Sequence, residues 1–83
     1  MDNYTRTIKS LAYGIWKFGE TKTGLIANIS GTNDKWNQKM KPLIDKGITG
    51  YTRSWKTKGD EVLVTLYSDN NVVESIVVQV DKD

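Results

Sequence analysis

The 83-residue chain contains no cysteine and no histidine. Disulfide staples, thiolate nucleophiles, Cys/His zinc sites and imidazole acid–base chemistry are therefore excluded. Long apolar stretches are missing too: no wholly apolar run exceeds three residues, and mean hydropathy is −0.52. A bilayer-spanning helix needs roughly 20 such residues, so no membrane partner is expected. The opening residues, MDNYTRTIKS, are polar and lack the apolar segment of a secretory leader. The expected location is cytoplasmic. Asn-x-Ser/Thr sequences at Asn3 and Asn28 are read as chance matches.

What is present favours sheet. Seven Ile, seven Val and nine Thr far outnumber the seven Ala and Leu, and β-branched side chains suit pleated strands. A chain of this length makes one domain with a small core. Charge is unevenly distributed. Residues 1–32 carry a net +2, residues 33–58 a net +5, and residues 59–83 a net −5, which gives +2 overall. That total is too small to mark a nucleic-acid binder by itself, but it sets a basic middle beside an acidic end.

Residues 72–80 are the clearest strand, with Ile76, Val78 and Val80 alternating against Ser75, Val77 and Gln79. Residues 62–67 form its hairpin partner across the turn Ser68-Asp69-Asn70-Asn71. Residues 50–57 add a third strand, joined through Lys58-Gly59-Asp60. A helix is predicted over 33–46, because Trp36, Met40, Leu43 and Ile44 make one apolar stripe. Ser30, Thr32 and Asn33 offer caps at its start, and Gly47 offers a stop. Pro42 interrupts this pattern, predicting a kink or two short helices.

In the first third, alternation predicts strands over 13–19 and 24–29, with Glu20–Thr23 as the turn. Residues 4–12 fit either a strand starting at Tyr4, Arg6 and Ile8 or a helix on the spacing of Ile8, Leu11, Ala12 and Ile15. Thr5 and Thr7 tip the reading towards strand. The expected fold is α+β: an antiparallel sheet of about five strands packed with one amphipathic helix, in the order ββαβββ, or with an extra N-terminal helix.

No catalytic constellation emerges. Gly14 and Gly19 have the spacing of a phosphate-binding loop, but Glu20-Thr21 stands where Lys-Ser/Thr is required. Asp69-Asn70-Asn71 runs into Val72-Val73 and lacks the alternating oxygens of a calcium loop. Asp60 and Glu61 are adjacent, so a strand would turn them to opposite faces. The expectation is a protein without cofactor, metal or enzymatic activity.

Aromatic residues carry the remaining signal: three Trp, four Tyr and one Phe. Trp36 fits the helix stripe, and Trp16 and Phe18 read as core or edge cover. Tyr51, Arg53 and Trp55 share one face of a regular strand inside the basic segment. If exposed, they make a platform for partner contact or base stacking, with Lys56 and Lys58 beside it. Lys35 and Lys39, at i and i+4 on the helix, extend that basic surface if helix and strand are neighbours. The competing reading packs Trp55 under the helix.

The expected function is a small binding module that occupies a protein partner, as an inhibitor or accessory factor of phage or mobile-element type. Single-stranded nucleic-acid binding by the same strand is the alternative. A structural subunit that forms homo-oligomers by edge-strand pairing is a third reading.

Overall fold

The structure, a computed structural model, describes residues 2–26 and 34–81. Its elements are α1 (Asn3–Tyr13), α2 (Ile15–Phe18), β1 (Thr21–Leu25), α3 (Asp34–Ile44), β2 (Gly50–Thr57), β3 (Glu61–Ser68) and β4 (Asn71–Gln79). The class is α+β, with one antiparallel sheet in the order β1-β2-β3-β4. Among the described residues the sheet has four strands, not five.

The three-stranded meander follows its alternation closely. Tyr51 and Arg53 on β2, Val62, Val64 and Leu66 on β3, and Val78 on β4 are buried on one face. Arg53 pairs with Val64 and Val64 with Ile76, so these side chains form rows across the sheet. The turns carry the expected residues. Asp60 N–H closes the β2–β3 turn on Thr57 O at 2.9 Å, with Gly59 at φ +81°. Asp69 takes φ +56° in the β3–β4 turn, a backbone that Asp tolerates.

The N-terminal third differs from expectation. Residues 4–12 are helical, and 15–18 form a second short helix where 13–19 was predicted as strand. Asp2 caps α1 by accepting from Thr5 N–H at 2.7 Å, which also holds the Asp2 carboxyl below the usual carboxylate range. Thr7 is reconciled with the helix by its hydroxyl. It donates to Asn3 O at 2.8 Å and lies 3.3 Å from Lys39 O on α3. The helical spacing of Ile8, Leu11, Ala12 and Ile15 then buries all four. β1 begins three residues earlier than the predicted strand, because Thr21 already pairs with Arg53. The predicted strand's residues 27–29, and the helix caps Ser30, Thr32 and Asn33, lie outside the described residues.

One core joins α1, α3 and the sheet. Met40, Leu43, Ile26 and Ile48 are buried in the same cluster as the β3 valines. Trp36 packs at its margin and donates Nε1–H to Ile26 O at 2.6 Å. Gly47, at φ +80°, ends the helix as predicted.

α3 runs through Pro42 as one helix, not two. Proline there leaves the carbonyl four residues back without its helical donor, against an intrinsic penalty of about 3 kcal/mol relative to alanine. Replacement gives back roughly 0.4–1 kcal/mol of unfolded-chain entropy. Pro42→Ala is therefore expected to stabilise the fold by about 2 kcal/mol, raising Tm by roughly 8–16 °C. Thermal denaturation followed by circular dichroism checks this, and an unchanged or lowered Tm contradicts it.

Candidate functional site

The residues singled out on β2 do not form an exposed platform. Tyr51 is 7% exposed and Arg53 5%. Both lie on the sheet face beneath the helices, so neither is available for stacking with a ligand. Trp55, on the same face nearer the strand end, is half-buried against the core. It meets a helical residue, but on α2 and not α3: its ring lies edge-to-face with Trp16, centroids 4.9 Å apart and planes at 64°.

Arg53 has an architectural role. Its Nη1–H donates to Leu11 O at 2.7 Å, its Nε–H to Gly19 O at 3.1 Å and its Nη2–H to Thr21 Oγ1 at 2.7 Å. Leu11 O belongs to the last turn of α1, where carbonyls lack a helical partner and the helix dipole is negative. The guanidinium is thus stabilised without a carboxylate, by neutral oxygens at a helix end. It ties α1, the end of α2 and the start of β1 to the sheet. Gly14 leaves the space this needs: a Cβ there would lie 2.5 Å from Nη1 of Arg53. That steric demand accounts for the first glycine of the phosphate-loop spacing.

The anchored corner presents aromatic side chains outward. Phe18 is 71% exposed, Tyr13 45% and Trp16 37%. Lys17 Nζ stands 5.4 Å from the Phe18 ring centroid. Glu20 is exposed and reaches along the sheet edge, where its carboxylate accepts from Trp55 N–H at 2.9 Å beyond the last β1–β2 pair. Lys56 and Lys58 are exposed at the same end of β2, followed by Asp60 in the turn and Glu61 at the start of β3. Glu61 accepts from the Thr57 hydroxyl at 3.0 Å. The charges around the corner are mixed in sign.

Lys35 and Lys39 are exposed on α3. That helix packs on α1 and makes no contact of similar extent with β2. The predicted extension of the Lys56 and Lys58 surface is not assembled there. Alternation in the sequence predicts Trp16 and Phe18 as core or edge cover, whereas both are exposed on α2. Alternation over three residues cannot distinguish a strand from one helical turn, whereas the flanking Gly14 and Gly19 are the available signal for a short helix.

The second exposed feature is β4. Val72, Val73 and Val77 are all exposed on this edge strand. On the sheet face away from the described helices, Thr65 Oγ1 lies 3.4 Å from Ser75 Oγ. A groove of about 340 Å³ runs between α1 and β4, lined by Tyr4, Ile8, Lys9, Glu74, Ile76 and Val78 among others. Tyr4 O–H donates to Glu74 Oε1 at 2.7 Å across it. Burial, followed by this bond to a carboxylate, pushes the Tyr4 phenol up to about 12.

Among the described residues no group of three or more acidic side chains is placed to hold a metal ion. No described helix is long and apolar enough to cross a membrane. No protein-family model, curated protein or solved structure matches the chain.

Proposed function

We propose that the protein is a non-enzymatic binding module whose partner is another protein, engaged through the aromatic corner of Tyr13, Trp16, Phe18 and Trp55. The observation that carries this reading is the 71% exposure of Phe18 on α2, the short helix whose Trp16 packs edge-to-face on Trp55 and whose end is tied to the sheet by Arg53. Large aromatic side chains held rigidly at a surface lose little entropy on binding and dominate protein interfaces. The chain has one phenylalanine, and most of its surface stays in water.

Mixed charge favours a protein over nucleic acid. A phosphate backbone calls for a continuous basic track, whereas the two lysines here are followed directly by Asp60 and Glu61. The edge-to-face packing of Trp16 on Trp55 also leaves no parallel slot between the two rings for a base. A protein surface with an apolar recess and a polar rim fits the corner. By occupying such a surface the protein would act on its partner as an inhibitor or accessory factor.

The test compares the wild-type chain with Phe18→Asp and Trp16→Ala. Both should retain wild-type circular dichroism and unfold cooperatively. Each should weaken capture of a specific protein partner by about 2 kcal/mol or more, some 30-fold, as measured by calorimetry. Unchanged affinity in both variants removes the corner from the interface. Quenching of tryptophan fluorescence by an oligonucleotide, lost as salt rises, supports nucleic acid as the partner instead.

A further inference from the structure

The two edges of the sheet are not alike. β1 is five residues long, carries Lys22 and is broken by a register shift between Thr21 and Gly24. Short length, a lysine and a bulge are devices that discourage a strand edge from pairing. β4 is nine residues long and contains no proline, lysine or arginine. Its one charged residue, Glu74, is engaged by Tyr4. A register shift marks a bulge at Val72–Glu74, leaving the stretch from Ser75 to Gln79 regular.

The backbone of that stretch has a defined polarity. Val80 N–H donates to Asp60 O at 2.8 Å. Antiparallel bonds recur every second residue, so Val78 and Ile76 also turn their backbone groups towards β3, opposite Val62 and Val64. Ser75, Val77 and Gln79 therefore aim N–H and C=O at the free edge.

We infer that β4 pairs with β4 of a second copy of this chain, antiparallel about a two-fold axis at Val77, to give a continuous eight-stranded sheet. This register satisfies every outward group of the regular stretch. Val77 exchanges both bonds with Val77 of the partner subunit, and Ser75 exchanges both with the partner's Gln79. Side chains match as well as backbone. Val77 meets itself, Ile76 lies against the partner's Val78, and Ser75 lies against the partner's Gln79. Apolar therefore faces apolar and polar faces polar, and no two like charges are directly opposed. Such self-complementarity is what an isologous two-fold interface requires. An unrelated strand would have to reproduce it by chance. The proposal does not rest on the aromatic corner, which belongs to α2 and the end of β2.

The mass in solution, measured by light scattering after size exclusion, is expected to be twice the 9.4 kDa of one chain. Val77→Pro deletes an N–H that the single chain does not use, at an edge position where proline is tolerated. Val77→Lys adds a gatekeeping charge without touching the backbone. Both variants should keep their circular dichroism and fall to the single-chain mass. Because the chain has no cysteine, Val77→Cys supplies one thiol. A short bismaleimide should join two copies through it, and should fail to do so through Thr52→Cys on β2. A wild-type mass of one chain even at millimolar concentration overturns the proposal. So does a doubled mass that both Val77→Pro and Val77→Lys leave intact.

Discussion

Arg53→Met is expected to cost roughly 3–5 kcal/mol of folding stability, measured by urea unfolding at 25 °C. The substitution keeps an unbranched apolar stem in the core and removes the donors. Leu11 O, Gly19 O and Thr21 Oγ1 each lose a charge-assisted hydrogen bond. A buried acceptor stranded in this way costs about 1–3 kcal/mol. Against a total stability of some 5–15 kcal/mol, the loss is a large fraction of the whole. Arg53→Lys should recover only part of it, since one ammonium cannot span three acceptors held by a planar fork. Gly14 supplies an internal check. Gly14→Ala should destabilise the wild-type chain by about 1–3 kcal/mol through its clash with the guanidinium. It should cost far less in the Arg53→Met background, where the obstacle is gone. Additive losses in that double-mutant cycle would show that the two residues do not share the space, and a loss below about 1 kcal/mol for Arg53→Met would show that water replaces its hydrogen bonds.

Gly24→Val sets local preference against packing. Glycine inside a strand is unfavourable, and valine is among the best strand formers, so propensity alone predicts a gain approaching 1 kcal/mol. The structure predicts the opposite sign. Gly24 pairs with Tyr51, and a Cβ at this position would overlap the tyrosine ring, 2.6 Å from Cζ and 3.0 Å from the hydroxyl. The ring cannot simply swing aside, because it is buried and lies 5.7 Å from the Arg53 guanidinium. Overpacking of this kind costs about 1–3 kcal/mol, and the two further methyl groups of valine push towards the upper end. With the propensity gain subtracted, a net loss of roughly 2 kcal/mol is expected by urea unfolding. A midpoint equal to or above the wild type would mean that β1 detaches from Tyr51 at little cost.

The legible part of the fold is the part where period and partner agree. β2, β3 and β4 alternate, each has its partner next in sequence, and the turns at Gly59 and Asp69 carry residues suited to positive φ. The helix stripe of Met40 and Leu43 is equally plain, and both residues are buried. α1 was obscured by Thr5 and Thr7, whose low helix propensity is offset by features that propensity does not contain: the Asp2 cap and the Thr7 hydroxyl bonded to Asn3 O. The candidate site was legible in composition but not in orientation. Arg53 and Tyr51 were assigned correctly to one strand face, yet that face is the one beneath the helices. Only the position of α1 decides this, and the residues of α1 fit a strand as well as a helix. Trp55 lies at the edge of both readings, since it is packed on one side and close to an exposed aromatic group on the other.

α1 is fastened at both ends to strands far along the chain: Tyr4 to Glu74, and Leu11 to Arg53. A ribosome delivers the helix before β2, β3 and β4. Until the later strands emerge, Ile8, Leu11 and Ile15 have no sheet to cover them, and the nascent chain carries an uncovered apolar stripe. Fastenings of such long sequence separation, 70 and 42 residues, raise the loop-closure entropy that must be met before they form, which slows folding relative to a helix held by local contacts.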